Sequence, residues 1–142
     1  MKKILFLCTG NSCRSQIADG LANNIFDSSY YIESAGTEHH GVNPNAIKIL
    51  KEIGIDISNY KSKSIKLDEL NRFDLVITLC GDAKDKCPIL DKGVKHIHWD
   101  LKDPAKFKGT ESEIISQFRN TRSLILNYIE ELKNNLEKGN LG

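Results

Sequence analysis

Ile4-Leu5-Phe6-Leu7-Cys8-Thr9-Gly10-Asn11-Ser12-Cys13-Arg14 is the stretch on which the fold turns. Its first half is a short apolar run stopped by Thr-Gly-Asn, the pattern of a buried strand. Gly10 and Asn11 permit a tight turn. Beyond it, Ile17, Ala18, Leu21, Ala22 and Ile25 recur at helical spacing, so Arg14 opens a helix. Successive backbone N–H groups in such a loop can turn inward and hold an anion, and the helix N-terminus adds a favourable field. Arg14 offers a planar fork for two oxygens of a tetrahedral oxyanion. The expected cradle is Thr9, Gly10, Asn11, Ser12, Cys13 and Arg14. The same field favours a thiolate at Cys8, since cysteines at helix N-termini beside a cation can fall to pKa ~3.5–7.5. Ser15 is placed to donate a hydrogen bond to that sulfur. Cys8 is then a nucleophile already ionised at neutral pH.

Working outward, Tyr30–Ile32 reads as a second strand closing on Ser34-Ala35-Gly36. Asn43-Pro44 caps a helix with its apolar face at Ala46, Ile47, Leu50 and Ile53, stopped by Gly54. Phe73–Leu79 and Val94–Trp99 read as two further strands. Thr110 with Glu113 forms a capping box, and Ile114, Phe118, Ile125, Ile129, Leu132 and Leu136 mark a long final helix. Strands alternating with helices predict an α/β fold: one domain over residues 1–142, with a four-stranded parallel sheet covered by helices on both faces. Ligands in such folds sit at the carboxyl ends of the strands. The loops after Leu7, Leu79 and Trp99 meet there.

The chain has 142 residues, with 20 Lys+Arg against 19 Asp+Glu. That near-neutral balance argues against a nucleic-acid binder. No run approaches the ~20 apolar residues that span a bilayer. The five-residue run Ile4–Cys8 is shorter than the ~7–15 residues of a secretory signal core, so no leader, no membrane partner and a cytoplasmic location are expected. A monomer is expected too. In a reducing compartment Cys8, Cys13, Cys80 and Cys87 are not expected to be structural disulfides; catalysis, redox work, a metal site or burial remain open. His39, His40, His96 and His98 lack a helical ligand spacing and read as structural or surface residues. Gly139–Gly142 reads as a frayed tail.

A thiolate that displaces an oxygen from an oxyanion needs that oxygen protonated. Asp103, with its backbone restricted by Pro104, lies in the loop after the fourth strand and is the candidate acid; such groups contribute ~10²–10⁴-fold. Cys80 ends the third strand, and Gly81-Asp82-Ala83-Lys84-Asp85-Lys86 separates it from Cys87. Were that segment helical, the two Cα atoms would stand ~10.5 Å apart, beyond the ~7 Å a disulfide tolerates. A redox pair there requires a segment that loops or unwinds. Lys84 and Lys86 are expected to favour a thiolate at Cys87. The Cys-x4-Cys and Cys-x6-Cys spacings are looser than typical zinc sites, and no metal is expected.

Cys8-Thr9-Gly10-Asn11-Ser12-Cys13-Arg14-Ser15-Gln16 resembles the low-molecular-weight phosphotyrosine phosphatase fold. Cys80 and Cys87 followed by Pro88-Ile89-Leu90, with Ser34-Ala35-Gly36, His40-Gly41-Val42-Asn43-Pro44, Asp56-Ile57-Ser58-Asn59 and His98-Trp99, resemble its thioredoxin-coupled arsenate reductase branch. The resemblance implies arsenate bound in the loop, attack by Cys8, protonation by Asp103, then a Cys8–Cys80 disulfide. Next come attack by Cys87 on Cys80 and reduction of Cys80–Cys87 by thioredoxin. It implies no tightly bound cofactor and no requirement for Cys13. Some relatives bind potassium through Asn, Glu, Ser and Asp. Here Asn11 and Ser34 match, Asp19 replaces Glu, and Lys63 stands at the last Asp, so a potassium site is not expected. The alternative is a phosphatase using Cys8, Arg14 and Asp103, although Ala105 follows Pro104 where such enzymes commonly place an aromatic. A non-enzymatic thiol or zinc module is a third reading.

Overall fold

The structure, a computed structural model, describes residues 2–87 and 90–139. Pro88 and Ile89 of the quoted resemblance, and residues 140–142 of the expected tail, lie outside them. Four strands form one parallel sheet: β1 (Lys2–Cys8), β2 (Tyr30–Gly36), β3 (Leu75–Thr78) and β4 (Lys95–His98), in the order β2-β1-β3-β4. The helices are α1 (Arg14–Ile25), α2 (Pro44–Lys51), α3 (Gly81–Lys86) and α4 (Glu111–Glu137). Two 3₁₀ turns, Leu67–Arg72 and Pro104–Lys106, complete the elements.

β1 is central because it is apolar on both faces. Ile4, Leu5, Phe6 and Leu7 are all fully buried, each worth roughly 1.5–3 kcal/mol relative to exposure. α1, α2 and α4 pack against one another, while α3 packs on β1 and β3 outside that three-helix layer. Trp99 stacks on Tyr128 of α4 with ring centroids 5.0 Å apart and contacts Phe6 at 5.7 Å, which seats the long helix on the sheet. The capping box of Thr110 and Glu113 starts α4 as expected, and the side chain of Asn43 caps α2.

Register decides what meets at the carboxyl edge. Leu7 pairs with Thr78 on one side and Ala35 on the other, and Leu79 N–H donates to Leu7 C=O at 2.9 Å. Cys8 and Cys80 therefore leave neighbouring strands at the same edge. The segment after Cys80, left open in the sequence between helix and loop, is a helix, with Cys80 at its N-cap and Cys87 at its C-cap.

Candidate active site

The loop between β1 and α1 is held from outside. The carbonyls of Cys8, Thr9, Gly10 and Ser12 accept from the N–H groups of Thr37, Glu38, His40 and Asn43 at 2.8–3.1 Å. The Asn11 carbonyl accepts from Gln16 Nε2 at 3.1 Å. In a trans peptide the following N–H points opposite to the carbonyl, and no cis bond occurs among the described residues. The N–H groups of the loop are thus turned inward as a cradle. Asn11 makes the turn with φ +47°, the left-handed conformation that asparagine tolerates. A Cβ at Gly10 would lie 2.5 Å from the exposed His40 ring, which would have to swing away, whereas Gly36 is required because one there would lie 2.3 Å from the Glu38 carbonyl and 2.5 Å from that of Thr9.

Inside the cradle, Asn11 Oδ1 accepts from the Lys63 backbone N–H at 2.9 Å. A backbone N–H can only donate, so the orientation of the Asn11 amide is fixed. Its Nδ2 then donates to Ser15 Oγ at 2.9 Å. This leaves the Ser15 hydroxyl hydrogen for Cys8 Sγ, 2.8 Å away. Asn11 and Ser15 are fully buried and Cys8 nearly so, which shields this chain of bonds from bulk solvent. The sequence motif contained Asn11 and Ser15 at helical spacing, but not this relay between them.

Arg14 joins all three loops. Its Nη1 donates to the carbonyls of Leu79 at 3.3 Å and Leu101 at 2.8 Å, and Nη2 lies 3.7 Å from Asp103 Oδ2. Asp103 caps the short 3₁₀ turn, its Oδ1 accepting from Ala105 N–H at 3.0 Å. Two cavities open here. One, of about 330 Å³, is lined by Cys8, Thr9, Gly10, Ser12, Cys13, Arg14 and Asp103. Beside it a cavity of about 530 Å³ shares Thr9, Arg14 and Asp103 and adds Cys80. Thr9 Oγ1 touches Cys80 Sγ at 3.2 Å, and the Cys80 sulfur also accepts from Ala83 N–H at 3.4 Å. Ten of the eleven site residues expected from sequence thus meet in one place, or lie directly beneath it, as Asn11 and Ser15 do.

Cys87 stands apart, half-buried at the far end of α3. Lysines were expected to favour its thiolate. Instead, burial pushes its thiol up from the ordinary value; desolvation outweighs the flexible, solvated charge of exposed Lys84. Cys13 is pushed up to about 12, chiefly by burial and then by the carboxylate of Asp103, so it stays a thiol at neutral pH. All four cysteines are free. Thr78 Oγ1 bonds both His96 Nε2 at 2.9 Å and His98 Nδ1 at 2.8 Å. This gives that pair a structural partner.

At the expected departure from the potassium pattern, Asp19 Oδ2 accepts from Ser34 Oγ at 2.7 Å. Burial is the main influence raising the Asp19 carboxyl above its usual range. Asp19, Ser34 and Lys63 line a separate cavity of about 520 Å³, and Lys63 Nζ pairs with Glu33.

Comparison with known proteins follows the same lines. The sequence matches the family described as low molecular weight phosphotyrosine protein phosphatase over residues 3–140. It is 53% identical over 130 residues to the arsenate reductase of Bacillus subtilis (strain 168), covering 92% of this chain and 94% of that protein. Among solved structures it resembles an arsenate reductase in the phosphate-binding state, with a TM-score of 0.72 and 33% identity over 93% of this chain and 96% of that one. It also resembles a thioredoxin-dependent arsenate reductase of Corynebacterium glutamicum, with a TM-score of 0.67 and 29% identity over 92% of this chain and 62% of that longer one.

Proposed function

The chain belongs to the low molecular weight phosphotyrosine protein phosphatase family, and we propose that within it this protein is an arsenate reductase that works through Cys8, Cys80 and Cys87 with thioredoxin as reductant. The observation that carries the reading is the second thiol: Cys80 Sγ lies against Thr9 of the oxyanion cradle, on the wall of the adjoining cavity. A phosphatase has no use for it.

The residues divide the chemistry as follows. Loop N–H groups and Arg14 hold arsenate, and Cys8 attacks arsenic. Asp103 gives its proton to the departing hydroxide, which leaves as water, and a Cys8–arsenate adduct remains. Cys80 then attacks the Cys8 sulfur. The sulfur–arsenic bond breaks with its electron pair staying on arsenic, so As(V) becomes As(III) and the two thiols become a disulfide. Cys87 attacks Cys80 and frees Cys8. The pair of Cys80 and Cys87 is reduced by a dithiol protein from solution. Seven residues of helix separate their Cα atoms by ~10.5 Å, so α3 must unwind for this step.

The test is arsenate-dependent NADPH consumption with thioredoxin and thioredoxin reductase, wild type against Cys87→Ser. Turnover that collapses in the variant supports the relay; no turnover in wild type removes it. Slow hydrolysis of small phosphate esters accompanies the reading, because the cradle suits either tetrahedral anion. Potassium, compared with sodium at equal ionic strength, is expected to change neither turnover nor melting temperature, since Lys63 brings a positive charge to the cation position. A potassium-specific gain contradicts this. The reading includes a monomer working in the cytoplasm. Among the described residues no helix is long and apolar enough to cross a membrane.

A further inference from the structure

The charge at the cradle does not balance without another group. This inference rests on the loop being an oxyanion site, as proposed above. A tetrahedral dianion there meets a nucleophilic sulfur, and Asp103 as the proton donor adds no positive charge, while the loop itself supplies one permanent cation, Arg14. Two further basic side chains line the smaller cavity, His40 and Lys106. His40 Nε2 is already engaged by Glu38 Oε2 at 2.9 Å. Lys106 makes no side-chain hydrogen bond or ion pair with the described residues, and it lines both cavities.

Local structure places it there. Asp103-Pro104-Ala105-Lys106 is a single 3₁₀ turn, with Lys106 N–H donating to Asp103 C=O at 3.2 Å. Asp103, the N-cap of that turn, and Lys106, its last residue, both line the smaller cavity. Pro104 and the Asp103 cap hold that turn rigid. We propose that Lys106 is a substrate-binding residue whose ammonium meets the outward charge of the tetrahedral dianion in the loop and draws it into the cradle.

The test measures binding of inorganic phosphate to the reduced protein by titration calorimetry at low ionic strength. Wild type, Lys106→Gln and Lys106→Arg are compared, with Lys108→Gln as a control for net charge. The Gln variant is expected to weaken phosphate by about five-fold, the order of one unit-charge contact in a wet site. The Arg variant should retain affinity within about two-fold, and the Gln deficit should shrink above ~0.1 M salt, where the Debye length falls to about 10 Å. In the reductase assay the same deficit should fall on KM for arsenate rather than on kcat. Equal affinity in wild type and Lys106→Gln overturns the assignment. So does an equal loss in Lys108→Gln, or an Arg variant as weak as the Gln variant. Wild type that fails to bind phosphate removes the cradle itself. Wild type that binds phosphate but reduces no arsenate counts against the reductase reading alone, and the lysine is still judged by the titration.

Discussion

With Asn11 Nδ2 donating to its oxygen, the Ser15 hydroxyl hydrogen is free to meet the sulfur of Cys8, 2.8 Å away. Removing it takes the Ser15 side-chain donor away from the nucleophile. Ser15→Ala should therefore lower kcat by about ten-fold, the scale of one hydrogen bond to a charged group, with the fold intact by circular dichroism. Undiminished kcat would contradict the relay. Cys13 lies five residues from Cys8 in the same loop. Its thiol, raised to about 12 by burial and Asp103, stays protonated from neutral pH to beyond pH 10, and only thiolates alkylate rapidly. Iodoacetamide at pH 7.5, followed by peptide mapping, should label Cys8 well before Cys13; the reverse order would show that the loop does not discriminate between them. The candidates Cys8, Arg14, Ser15 and Asp103 were legible because their chemistry is local or sits at a strand end. The contact of Thr9 with Cys80 was not, because it joins residues 71 apart and depends on register.

At the scale of elements, the strands and α4 were readable from periodicity and capping, whereas α3 was not. Six polar-rich residues opening with Gly81 carry no helical period, and the helix exists because Ala83 is buried against the sheet and Cys80 caps its first turn. Such a helix is short enough to be marginal alone. On oxidation of the reduced protein, amides of Lys84 and Cys87, now bonded to Cys80 and Lys84 carbonyls, should exchange faster with deuterium. Exchange across 81–87 that is identical in the two redox states would rule out unwinding. The 3₁₀ turn after Asp103 was equally hidden, though Asp-Pro announces a turn of some kind.

Across the whole molecule, Glu52 at the end of α2 ties two arginines of α4: Arg119 Nη2 at 2.7 Å and Arg122 Nη1 at 3.0 Å. Hydrogen bonds from Arg119 and then Arg122 hold the Glu52 carboxyl down at about 2. A depressed carboxylate stabilises the fold above its unfolded value, ~4.3, and loses that contribution as pH falls through the folded value. Glu52→Gln should therefore melt below wild type at pH 7, with the gap closing between pH 4 and pH 2. A gap that persists unchanged at pH 2 would mean that packing, not charge, links the two helices. This tie was illegible in sequence because its partners are 67 and 70 residues apart.

The short helix between Cys80 and Cys87 also sets an electrochemical dial. Under the proposed relay, oxidation is coupled to melting α3, so helix propensity enters the midpoint potential of the pair directly. A glycine in a helix costs about 1 kcal/mol relative to alanine, and 1.4 kcal/mol corresponds to ~30 mV for a two-electron couple. Each glycine at exposed Lys84 or Asp85 would make the pair about 20 mV harder to reduce than alanine at that position. The exposed face of six residues can thus match the enzyme to its electron donor without touching a sulfur atom.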